Sequence, residues 1–134
     1  MKEISKPIIT DVGRIWGRDA IFLDKVNMIN EETFQLIGEF NGTLCSNIKN
    51  KEYIRYNITF KNVILFKMIE LDFDESNKES SFDEVENSNV IVHLKNKDNQ
   101  RKTGKIDDSF KHYIFSTYDT VFEIIGKSFE LILN

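Results

Sequence analysis

Tyr53-Ile-Arg-Tyr-Asn-Ile-Thr-Phe60 places Ile54, Tyr56, Ile58 and Phe60 on one face and Tyr53, Arg55, Asn57 and Thr59 on the other. Alternation of this kind marks a strand with one buried face. It is the cleanest such pattern in the chain. Upstream, Ala20–Ile29 and Thr33–Phe40 are two runs rich in β-branched and aromatic residues. The polar turn Asn30-Glu31-Glu32 between them predicts a hairpin. Asn41-Gly42 closes the second run with a turn signal, and 46–52 reads as a polar loop.

Downstream, Val63–Phe73 reads as a strand whose later half sets Lys67, Ile69, Leu71 and Phe73 opposite Met68, Glu70, Asp72 and Asp74. After the charged loop 75–80, Ser81-Phe-Asp-Glu84 has capping-box spacing and predicts a helical turn ended by Asn87-Ser-Asn89. Val90–Leu94 is expected as a strand, and 95–108 as a long basic loop. The run from His112 to Leu133 reads as strand, short helix, strand. Its middle part has Thr120 and Glu123 at capping-box spacing and Gly126 at the left-handed C-terminal position. Phe129, Leu131 and Leu133 alternate in the last strand, which ties the C-terminal run into the core. Residues 1–18 look irregular, with Gly13-Arg14 and Gly17-Arg18 flanking Trp16, which is expected to plug the end of the fold, with anchoring a partner as the alternative.

The sum is an α+β, mainly β fold of about seven strands with one or two short helices. Short connections favour antiparallel pairing, in a β-sandwich or a partly open barrel. Composition agrees, since Ala occurs once (Ala20) while Phe occurs 11 times. With 134 residues, no internal repeat and no Pro/Gly/Ser-rich linker, a single domain spanning 1–134 is expected.

The net charge of −4 argues against nonspecific attraction to nucleic acid or anionic membranes. No apolar run approaches the roughly 20 residues of a membrane helix, and Met1–Pro7 lacks the pattern of a secretory signal. The lone Cys45 suits a reducing compartment, so a cytoplasmic location is expected. Charge is segregated along the chain. Glu70–Glu86 holds eight acidic residues against Lys78, and Lys95–Lys105 holds five basic residues against Asp98.

Chemistry-bearing residues are few. Of two histidines, His93 and His112, both read as structural or exposed, although His112 with Asp119 or Glu123 would make a general-base pair lacking a nucleophile. His112, Tyr118 and Asp119 form a candidate polar and aromatic site. Cys45 reads as a passive thiol. Glu70, Asp72 and Asp74, at alternate positions of one strand face, with Glu75 form the strongest ligand candidate. Asp72-Phe-Asp-Glu-Ser76 resembles the opening of a calcium loop, but Asn77 replaces the turn glycine and Asp83 the bidentate Glu. The face therefore reads as a solvated acidic surface, with no metal or cofactor expected. The basic loop lacks the interleaved aromatics of a single-strand binder.

These features predict a protein-interaction module whose acidic face meets a basic protein partner, as an immunity-type neutraliser would. A small-ligand-binding barrel or sandwich is the alternative, and an enzyme of unknown class the third reading. An open strand edge at Val90–Leu94 or Ser128–Leu133 would allow dimers by strand pairing.

Overall fold

The computed structural model describes residues 2–49 and 52–134, so Asn50 and Lys51 of the expected 46–52 loop lie outside it. Among the described residues are nine strands, β1 (Ile4–Pro7), β2 (Ile21–Asn30), β3 (Thr33–Asn41), β4 (Tyr53–Lys61), β5 (Leu65–Glu70), β6 (Phe82–Glu86), β7 (Lys111–Ser116), β8 (Thr120–Gly126) and β9 (Ser128–Leu133). One α-helix, α1 (Asn89–Arg101), joins β6 to β7. The strands form a five-stranded sheet, β1-β6-β7-β8-β5, and a four-stranded sheet, β2-β3-β4-β9. All pairings are antiparallel. The result is an open sandwich rather than a closed barrel.

The β4 alternation decides the core as expected. Tyr56, Ile58 and Phe60 are fully buried, joined from the same sheet by Ile21, Leu36 and Phe40. The other sheet contributes Phe82, Tyr113, Phe115, Phe122 and Ile124. Aromatic rings meet edge to face across the interface, with Tyr56 and Phe115 centroids 5.7 Å apart and Phe60 and Phe82 6.3 Å apart. Gly38 in β3 lets the hairpin tighten. A Cβ there would stand 1.9 Å from the Phe22 carbonyl, to which the buried Tyr56 hydroxyl donates at 2.9 Å. A bulge at Asp24 lies beside this point.

Three expectations are corrected. Ser81–Glu84 is not a helical turn. Phe82 enters the core within β6, and the Asp83 carboxylate accepts the Glu79 amide at 2.6 Å, organising the turn before the strand. Thr120–Gly126 is not a capped helix either. β8 is a central strand paired with both β7 and β5, so its β-branched residues pack on two faces. Gly126 sits where a Cβ would crowd the Lys61 carbonyl at 2.9 Å, not at a left-handed cap. Val90–Leu94, expected as a strand and a possible open edge, lies inside α1. The helix begins one motif late, with Asn87 at φ 55° breaking β6 and the Ser88 hydroxyl capping the Ile91 amide. Val90, Leu94 and Asp98 then fall at four-residue spacing on its less exposed side.

The basic loop is correspondingly shorter. Asp98 gathers it, accepting the amides of Lys105 and Ile106 at 3.0 Å each and the Thr103 hydroxyl. Residues 2–18 hold more structure than expected. β1 pairs with β6, and Ile15 bridges Cys45 while its carbonyl accepts the Ser81 amide at 2.8 Å. β9 does lie at a sheet edge.

Candidate functional site

The expected acidic face does not form as a strand face. β5 ends at Glu70, and a turn of 3-10 helix covers Leu71–Phe73. Its cap is Glu70 itself, whose carboxylate accepts the Asp72 amide at 2.8 Å. Asp74 turns inward, bonding Ser76 and Lys78 Nζ at 2.8 Å. Those hydrogen bonds outweigh its burial and hold its carboxyl below the usual range. Glu70, Asp72 and Glu75 remain exposed. Among the described residues, no group of three or more His, Cys, Asp or Glu is placed to hold a metal ion.

The trio His112, Tyr118 and Asp119 is divided between two places. His112 faces away from the main core, onto the outer side of the five-stranded sheet. There Val85, Ile114 and Val121 form a second apolar cluster. Its Nε2 lies 2.9 Å from Glu123 Oε1, and its Nδ1 lies 2.7 Å from Ser88 Oγ. Glu123 accepts only, so the ring carries a proton on Nε2. In the neutral ring, Nδ1 then receives the Ser88 hydroxyl. Lys67 Nζ reaches the other Glu123 oxygen at 3.2 Å. The His112 hydrogen bond, aided by Lys67, overcomes desolvation and brings the Glu123 carboxyl down to about 2.

This arrangement contains serine, histidine and carboxylate, yet it is poorly built for nucleophilic attack. Ser88 is buried and its oxygen also caps α1. A cavity of about 430 Å³ opens over His112 and Glu123, bounded by residues 73–77 and Val90. Its buried polar side chains are already paired with one another. The cluster locks the helix start to the sheet.

A larger cavity of about 600 Å³ lies at one end of the sandwich. Segment 14–18, the turn 78–81 and residues 116–117 at the end of β7 bound it, with Leu71 alongside. Ile15 is anchored in the core, which turns its neighbours Arg14 and Trp16 outward. Gly17, at φ 104°, allows the chain to bend between Trp16 and Arg18. Its carbonyl accepts the Ser81 hydroxyl at 2.9 Å, pinning the bend to the sandwich.

Two arginine–aromatic pairs stand at this end. The Arg14 guanidinium lies 5.4 Å from the Trp16 ring centroid, and Arg18 lies 4.5 Å from that of Tyr118. Tyr118 stacks on Phe22 at 5.6 Å, and Phe22 meets Tyr53 at 6.0 Å. Trp16 does not plug the fold, being 47% exposed. Asp119 is 3.8 Å from Arg18 and its carbonyl accepts the Leu71 amide, which brings the exposed acids Glu70 and Asp72 beside the same end. Sequence reasoning does not pick out Arg14, Arg18 or Ser116 as site residues, although the Gly-Arg pairs around Trp16 are visible in the chain. Ser116 carries no such signal.

Cys45 is buried, and desolvation pushes its thiol up to about 11, consistent with a passive role. His93 is exposed on α1. No helix of the described residues is long and apolar enough to cross a membrane. No family model, curated protein or solved structure matches the chain.

Proposed function

We propose that the chain is a protein-interaction module, of the kind that neutralises a basic partner, and that it docks that partner at the Arg14–Trp16–Arg18–Tyr118 end of the sandwich. One observation carries the reading. Two exposed aromatics, Trp16 and Tyr118, are each paired with an arginine, and Trp16 and both arginines line one concavity. Tryptophan, tyrosine and arginine are the residues that dominate binding energy at protein interfaces.

The acidic residues keep a role in revised form. Glu70, Asp72, Glu79 and Asp119 rim this end, and such a rim accelerates encounter with a basic partner and weakens with salt. Asp74 drops out, because its charge is spent on Lys78. A cytoplasmic setting, in which the Cys45 thiol stays reduced, belongs to the same reading.

The test is affinity capture from native cytoplasm at low and high salt, using the wild-type chain and the variants Trp16→Ala/Arg18→Ala and Glu70→Gln/Asp72→Asn. A stoichiometric basic partner should be lost with the first variant. It should also be captured more slowly by the second, and be released as salt rises. Capture that ignores both variants, or no partner at all, would end this reading.

A further inference from the structure

We infer that the 600 Å³ cavity at the end of the sandwich binds a small oxyanion, a carboxylate or phosphate, carried on a planar ring. This goes beyond the partner reading and does not depend on it.

The inference rests on which donors are already used. The Ser80 hydroxyl is bound to the Asp83 carboxylate and the Phe82 carbonyl, Ser81 donates to Gly17, and Thr117 donates to the Thr120 carbonyl. Lys78 is held by Asp74 at 2.8 Å. Two donors of residues that line the cavity are left over, both just beneath its surface. Ser116 is only 8% exposed, and its Oγ has no hydrogen-bond partner among the described residues. Arg14 Nε is likewise buried without a partner among them, although Arg14 Nη2 donates to the Glu79 carbonyl at 2.8 Å.

A buried donor left unsatisfied destabilises the folded chain. A ligand rich in acceptors would recover that loss. Among acceptors, carboxylate and phosphate match the planar fork of a guanidinium and gain from its charge. Arg18 stands on the same wall with its Nε on the Tyr118 carbonyl at 3.3 Å, which leaves its other N–H groups for a ligand or for Asp119. The Glu79 carboxylate is the opposing charge at the rim, which favours a ligand seated against Arg14 and Ser116 rather than at the mouth. Trp16 and Leu71 supply the apolar side, suited to a flat ring. The volume lies within the range that holds a small organic molecule.

Trp16 is the single tryptophan of the chain, so its fluorescence reports on this site without labelling. The purified protein is titrated with phenyl phosphate, with benzoate and with uncharged phenol. At least one anion should change the fluorescence saturably with a Kd below about 10 mM, and phenol should bind roughly tenfold more weakly or not at all. Which anion saturates identifies the head group. Arg14→Gln should weaken that anion about tenfold or more. Ser116→Ala should weaken it severalfold, and because it removes one oxygen it serves if the arginine variant fails to fold. No saturable response to either anion, phenol binding as tightly as the anions, or a folded Ser116→Ala chain binding like wild type would overturn the inference. Since no partner protein is present, failure here leaves the interaction reading standing, and the reverse also holds.

Discussion

Glu123 shows how a single residue changes meaning once its neighbours are known. In the sequence it is the last position of an apparent capping box, and also a candidate partner of His112. Only the second relation is present, and the carboxylate is drawn down to about 2 by His112 first and Lys67 after it. The folded value lies below the unfolded one, so the contribution is complete above about pH 4.5 and disappears as pH falls toward 2. Glu123→Gln should therefore cost up to about 3 kcal/mol at pH 7 and flatten the loss of stability between pH 5 and 2. Urea titrations at pH 7 and pH 3 check it, and equal destabilisation at both would count against the ion pair as cause. His112 is readable in the sequence as a residue of interest, but its face is not. A one-residue shift in the reading of β7 would turn it into the core.

Among the elements, α1 departs furthest from the sequence reading. Val90-Ile-Val-His-Leu94 is β-branched and short, and in isolation it favours a strand. The helix wins because Asn87 breaks β6 and Ser88 caps the segment after it, while Lys95, Lys97, Gln100 and Arg101 extend it with residues that propagate a helix well. Ser88→Ala removes both the cap and the hydroxyl held by His112. It should lower stability by about 1 kcal/mol or somewhat more and reduce helical signal in circular dichroism. Unchanged helicity with intact stability would mean that packing alone holds α1. β8 departs for the opposite reason. Its capping-box spacing is real, but a strand paired on both sides satisfies every backbone group and buries Phe122 and Ile124, which one helical turn could not do.

For the whole molecule, the two sheets meet over an aromatic interior centred on Phe60, whose ring lies within 6.4 Å of Phe82, Tyr113, Phe115 and Phe129. Phe60→Ala should cost about 3–5 kcal/mol, leaving a cavity that the stiff sheets cannot close. A loss under about 1 kcal/mol in denaturant titration would show that the sandwich relaxes around it. The alternating strands β2, β3, β4 and β9, the hairpin turn at Asn30 and the mainly β antiparallel class are determined by sequence alone, because a period of two commits alternate residues to opposite faces whatever the strand pairs with. What segment 12–18 does was decided only by tertiary structure. Its residues have no period, and they gather at one end of the sandwich because Ile15 is held by Cys45 and Ser81, residues from distant parts of the sequence. The same holds for Ser116, unremarkable by itself and 102 positions from Arg14 (116 − 14) in the chain. Long-range hydrogen bonds and packing bring such residues together, and no local propensity encodes them.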